Sequence, residues 1–186
     1  MDMLYFSGEN LTKGYFWTPI TALFFHANMA HLIGNMLFLY VFGSTLEKEI
    51  GFSRTILAFF LGGSLSFILS LYFYDYSVIM IGASAAIFTL LAIVMLVKPL
   101  KFSWIFFMPL GLVAVFYFIY NVFAVYYPNI GDFSIGYWGH IIGFLIGVPF
   151  GVAWSHGRWK RNLLITIALS IIYLIIVNYA SILITL

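Results

Sequence analysis

An all-α polytopic membrane protein, built as a bundle of six transmembrane helices, is the fold class the sequence predicts. Three observations carry it: a very high apolar content, few charges, and charges placed so that they cut the chain into runs of helix length. Hydrophobic residues make up 64% of the 186 residues and charged residues 8%, against roughly 45–50% and about 25% in soluble proteins. One domain of this size cannot bury so much apolar surface in its own interior, so a lipid bilayer has to solvate the outside. A formal charge of +2 is too small to draw nucleic acid. The absence of cysteine removes disulfides, thiolate catalysis and Cys-ligated metals.

The elements follow in order. Residues 1–13 are mixed, with Asp2, Glu9 and Lys13, and do not read as a signal peptide. Segment 14–26 is apolar but short and holds Pro19, which suits an interfacial or re-entrant element. A spanning helix needs about 20 residues to cross a core of roughly 30 Å. Spans are expected at 28–46, 54–74, 82–98, 102–126, 137–156 and 162–185. The chain reads as one domain over 1–186: a tail and membrane-associated loop at 1–27, core helices at 28–156, and an additional C-terminal helix at 162–185.

Basic residues orient the bundle, because cytoplasmic loops are enriched in them. Lys48 and Arg54 follow the first span, Lys98 and Lys101 the third, and Arg158, Lys160 and Arg161 the fifth. Only Lys13 of the eight Lys and Arg residues lies on the other side. The first, third and fifth spans then run inward, and both chain ends are expected outside.

Three polar clusters open those same three spans. The first is His26, His31 and Asn35, with His31 and Asn35 four residues apart and so on one helix face. The second is Gly82-Ala83-Ser84-Ala85-Ala86, and the third is Gly139-His140-Ile141-Ile142-Gly143, with Gly147 one turn on. Intramembrane polar groups point to function by default. Ser84 precedes Lys98 by 14 residues, about 21 Å of helix, which sets it several ångströms below the outer edge of a core of roughly 30 Å. All three clusters thus reach a similar depth.

A serine hydroxyl attacks effectively only when a neutral imidazole takes its proton, and the resulting oxyanion needs preorganised donors. Ser84 and His140 are the catalytic candidates. The side chains of His31 and Asn35, with the Ser84 backbone N–H, are the candidate donors, and the helix N-terminus adds partial positive charge. The acidic residues lie at the ends of spans or in loops, Asp75 and Asp132 outside and Glu47 and Glu49 inside, so a dyad is expected and not a Ser-His-Asp triad. Gly139, Gly143 and Gly147 offer a small-residue face for close helix approach.

Each piece alone has an ordinary explanation: Gly-Ala-Ser and GxxxG as packing, Asn35 as an interhelical hydrogen bonder, a single His as an interfacial residue, as for His156 beside Trp154 and Arg158. Asn10-Leu11-Thr12 matches a glycosylation sequon, a pattern frequent by chance. A metal site of His26, His31 and His140 lacks an HExxH pattern and a nearby carboxylate, so no metal and no cofactor is expected. A small transporter is disfavoured for want of an intramembrane carboxylate or paired charge.

Taken jointly, the clusters resemble the rhomboid family of intramembrane serine proteases. His26-x-x-x-x-His31-x-x-x-Asn35 and the later Leu46-Glu47-Lys48-Glu49-Ile50-Gly51 resemble the family's second helix, Gly82-x-Ser84 its nucleophile motif, and His140-x-x-Gly143-x-x-x-Gly147 its general-base helix. The likeness covers about residues 14–156. It implies Ser84 as nucleophile and His140 as general base, with His31, Asn35 and Gly82 at the oxyanion and His26 as an accessory candidate. It further implies that 14–26 belongs to the first membrane-embedded loop and that the Phe- and Tyr-rich fourth span borders the substrate gate. Substrates would be single-span membrane proteins, and the pocket would open to the extracytoplasmic side of a prokaryotic cell membrane. The alternative is a non-proteolytic rhomboid-like protein that binds client helices. Four features depart from the family pattern. Its first helix has no counterpart, Trp17-Thr18 stands for Trp-Arg, Ala85 for a frequent glycine, and Phe88 where a tyrosine often packs under the histidine.

Overall fold

The computed structural model describes residues 2–127 and 136–185. Asp132, expected in an outer loop, lies outside the described residues. The chain begins with two short helices, α1 (Gly8–Thr12) and α2 (Thr18–Thr21), and the main bundle follows. It comprises α3 (Met29–Ile50), α4 (Phe52–Ser70), α5 (Ser84–Val97), α6 (Leu110–Tyr126), α7 (Tyr137–Trp154) and α8 (Trp159–Thr185). Four of these, α3, α4, α7 and α8, are long and apolar enough to cross a membrane. The remaining two, α5 and α6, are shorter and equally apolar. The protein is a multi-pass membrane protein, as its composition predicts.

Local chemistry sets the ends. Asn28 adopts extended backbone, and its side-chain oxygen accepts the His31 N–H at 2.8 Å, capping α3. A π-helical turn at Leu39–Gly43 interrupts α3, and Gly51 at φ +88° ends it. The fourth span starts later than expected. Residues Phe102–Ser103 (β1) and Met108–Pro109 (β2) pair as a small antiparallel hairpin, and α6 begins only at Leu110. The cause is Pro109, which has no N–H to continue a helix backward and suits a position just before its first turn.

The centre of the bundle is α5. Its residues Ala85–Val97 are all buried, which explains a helix that is apolar all round. In α4 the buried residues Thr55, Ala58, Phe59, Gly62, Gly63, Ser66, Phe67 and Ser70 recur every three to four positions and form one packing face. Glycines let the neighbours approach. A Cβ on Gly143 would collide with the Ala85 carbonyl, one on Gly147 with the Thr89 carbonyl, and one on Gly151 would stand 2.9 Å from Leu96 Cδ1. These pairs advance together along both chains, so α5 and α7 run parallel. Thr89 Oγ1 seals the contact by donating to the Gly143 carbonyl at 2.9 Å.

Helix α8 does more than lie on the surface. Buried Asn162 donates to the carbonyls of Leu96 and Val97 at 2.7 and 3.1 Å, satisfying acceptors that the end of α5 leaves open. Next to this end, Lys98 pairs with Glu49 at 2.9 Å. The N-terminal segment is also folded onto the core. Phe6 is fully buried and stacks on Phe67 at 5.5 Å, while its carbonyl accepts the Met80 N–H at 2.8 Å. Thr18 stands where the resemblance leads one to expect arginine, and the loop is still anchored. Thr18 is buried and donates to the Tyr15 carbonyl at 2.8 Å, Ser64 donates to the Pro19 carbonyl at 3.3 Å, and the Gly82 N–H donates to the Ala22 carbonyl at 2.9 Å.

Candidate active site

Ser84 is the first residue of α5, and His140 sits in the first turn of α7. Parallel packing of these helices through Ala85 and Gly143 brings the two first turns side by side. The Ser84 hydroxyl and His140 Nε2 are 2.7 Å apart. Both residues are half-buried, held in place yet reachable.

Two neighbours hold the imidazole. The ring of Phe88, one turn after Ser84, lies parallel to it with centroids 4.6 Å apart and 4° between planes. On the other side, His140 Nδ1 is 2.7 Å from Oδ1 of Asn121, which is itself buried. The Asn121 amide in turn donates from Nδ2 to the Tyr117 carbonyl at 2.7 Å.

Gly82 turns the chain into α5 with φ +108°, a region that favours glycine. A Cβ there would also stand 2.8 Å from His31 Cε1, 2.9 Å from His31 Nε2 and 3.5 Å from Asn35 Nδ2. The His31 and Asn35 side chains therefore converge on the residue two before Ser84. His31 Nδ1 accepts the Ala27 N–H over 3.4 Å, which leaves the proton of a neutral ring on Nε2, the atom turned to Gly82. Asn35 Nδ2 is buried and has no partner among the described residues, as is His26 Nε2. The His26 ring meets His31 edge to face at 5.1 Å. A buried donor without an acceptor calls for an explanation, and Asn35 Nδ2 lies beside Gly82, two residues before Ser84. No side chain caps α5, so the N–H groups of its first turn are open as well.

A family model described as Rhomboid domain matches residues 13–157. The chain belongs to the rhomboid family. Among similar proteins of Arabidopsis thaliana, RHOMBOID-like protein 1 is 30% identical over 150 residues, 78% of this chain and 37% of its own length. RHOMBOID-like protein 7 is 27% identical over 157 residues, 81% of this chain and 49% of its own. The chloroplastic Rhomboid-like protein 11 is 38% identical over 85 residues, 46% of this chain and 30% of its own. The chain thus spans less than half the length of these curated relatives. They are plant proteins, and their names lend no support to the expected prokaryotic membrane.

Within this rhomboid fold the sequence-derived residues gather at one place: Ser84, His140, Gly82, His31, Asn35 and, behind them, His26. Gly139 and Gly143 line the helix contact next to them, with Gly139 facing Ser70 and Ala85, and Gly147 one turn further in. Asp75 stays in its loop, where the Ser77 N–H and hydroxyl donate to it at 3.1 Å and hold its carboxyl below the usual range. Among the described residues no cluster of three His, Cys, Asp or Glu side chains has metal-binding geometry. Asn121 was not singled out from the sequence. The signal was there, since it is the one amide in the otherwise apolar and aromatic helix Leu110–Tyr126, and a polar side chain in such a span needs a partner.

Proposed function

We propose that this rhomboid-family protein is an intramembrane serine protease that hydrolyses peptide bonds in the transmembrane segments of single-span proteins. One observation carries the reading: the 2.7 Å contact between the Ser84 hydroxyl and His140 Nε2. With its lone pair on Nε2, the imidazole removes the hydroxyl proton as Oγ attacks the scissile carbonyl carbon. The carbonyl oxygen becomes an oxyanion. Asn35 Nδ2, His31 Nε2–H and the Ser84 backbone N–H donate to it, a role that gives Asn35 Nδ2, without a partner among the described residues, its acceptor. The imidazolium then protonates the leaving amine, and the C–N bond breaks. Water enters, gives a proton to His140 Nε2 and attacks the acyl-serine. Collapse of the second intermediate returns that proton to Oγ and frees the acid.

Water must reach Ser84, and the incomplete burial of Ser84 and His140 supports that. The positions of the basic residues support a site opening to the extracytoplasmic side. A protein that only binds client helices has no use for a serine and a histidine at hydrogen-bond distance, so the contact favours hydrolysis over that alternative. The test is labelling by a serine-directed fluorophosphonate, paired with cleavage of a single-span substrate in detergent or liposomes. Wild type should label and cleave, whereas Ser84→Ala and His140→Ala should do neither. Labelling that is equal in all three would end the proposal.

A further inference from the structure

The bonds around Asn121 form a chain that decides which nitrogen of His140 carries the proton. An asparagine side chain has one accepting oxygen and one donating nitrogen, and its two ends are told apart only by their partners. The Tyr117 carbonyl can only accept, so the atom 2.7 Å from it is the donating Nδ2. The oxygen is then the atom 2.7 Å from His140 Nδ1. An oxygen that can only accept requires a hydrogen on Nδ1. A neutral imidazole with its proton on Nδ1 keeps a lone pair on Nε2, the nitrogen that faces the Ser84 hydroxyl at 2.7 Å.

We infer that Asn121 is a positioning residue for the proposed hydrolysis: through the Tyr117 carbonyl it holds His140 in the Nδ1–H tautomer, leaving Nε2 to accept the Ser84 proton. The inference rests on the reading of Ser84 and His140 as a proteolytic pair. Phe88 does not duplicate this role. A stacked ring fixes the plane of the imidazole and is indifferent to which nitrogen is protonated. Without the Asn121 oxygen, the Nε2–H tautomer becomes accessible and donates to Ser84, and in that state the base is blocked. The burial of Asn121, at 3% exposed, removes the water that would otherwise take the place of its oxygen. The bond also ties α6 to α7 at the site, and a shift of about 1 Å between the helices is enough to break it.

The experiment compares Asn121→Leu, which keeps the volume and removes the acceptor, with Asn121→Asp, which keeps an oxygen for Nδ1 and, when protonated, a donor for the Tyr117 carbonyl. Loss of the wrong-tautomer guard costs ~10⁴ in a carboxylate triad. For a neutral amide the expected fall in kcat for Asn121→Leu is smaller, about 10²-fold, with KM nearly unchanged, and Asn121→Asp should recover most of it. In parallel, ¹⁵N spectra of histidine-labelled protein, with the His140 signals identified by their loss in His140→Gln, should place the proton on Nδ1 in wild type and Asn121→Asp. In Asn121→Leu they should show it moving to Nε2. If Asn121→Leu does not fold, Asn121→Asp decides: the proton remaining on Nδ1 supports the inference, and its transfer to Nε2 overturns it. A folded Asn121→Leu with unchanged tautomer and unchanged kcat also overturns it. The spectra need no turnover, so if wild type fails to label or cleave, the proteolytic reading falls while the tautomer assignment is still decided.

Discussion

The rings of Phe88 and His140 lie 4.6 Å apart and within 4° of parallel. The phenyl ring therefore presses the imidazole into the plane from which Nε2 meets Ser84. Family members often carry tyrosine here, and the stacking needs only the ring. Phe88→Tyr should retain the labelling rate within about threefold. Phe88→Ala removes an aromatic pair worth about 0.5–1.5 kcal/mol beyond its buried area and should slow labelling up to roughly tenfold. Fluorophosphonate labelling time courses check both.

The proposed oxyanion donors make a sharper prediction. Asn35 Nδ2 has no partner among the described residues, so its removal breaks no ground-state hydrogen bond seen there. Asn35→Ala should leave substrate KM close to wild type and lower kcat about 10²–10³-fold, the effect of deleting one such donor. Steady-state cleavage kinetics of a single-span substrate measure the split. A large rise in KM at unchanged kcat would remove Asn35 from the oxyanion.

Helix contact governs the meeting of serine and histidine, because a Cβ on Gly143 or Gly147 would run into the backbone carbonyl of α5. Backbone cannot swing aside as a side chain can. Gly143→Val should destabilise by more than the about 1–3 kcal/mol of ordinary overpacking and abolish labelling. Gly34, with open space around its Cβ position, is the control: Gly34→Ala should retain fold and activity. Thermal unfolding in detergent with labelling of the folded fraction checks the pair.

Asn162 predicts a role for the last helix. Its side chain satisfies two carbonyls at the end of α5. Asn162→Leu leaves those acceptors buried and unpaired at about 1–3 kcal/mol and should lower the midpoint of thermal unfolding. The Ser84–His140 geometry is at the other end of α5, so labelling of the folded protein at low temperature should be retained.

Topology is open to a direct test because the chain has no cysteine. Ser77→Cys and Lys101→Cys each introduce a single thiol on an exposed residue. A membrane-impermeant maleimide should label Ser77→Cys on intact cells and Lys101→Cys only after permeabilisation. The reverse pattern would invert the orientation read from the basic residues.

Much of this protein is written in short-range chemistry. Apolar run length and charge spacing determine that the chain lives in a bilayer and in what order its helices follow, though not the late start of α6 behind the β1–β2 hairpin. Those signals need only hydropathy and the length of a helical turn. The site residues were legible for a related reason: Ser84, His140, His31 and Asn35 are polar side chains where lipid should exclude them. Asn121 shows the limit of that signal. One amide in a span says that a partner exists and does not say which, and the answer lay on another helix, 19 residues along the chain.

What the tertiary structure alone decided is pairing. Sequence determined that glycines line one face of α7. Only the packed bundle set Gly143 against Ala85, and so put the first turns of two parallel helices at one level. The same holds for Asn162 at the end of α5 and for the buried N-terminal segment around Phe6. The physical reason is that hydropathy is a property of each segment, whereas a hydrogen bond of 2.7 Å between residues 56 apart exists only when three-dimensional packing has placed both ends.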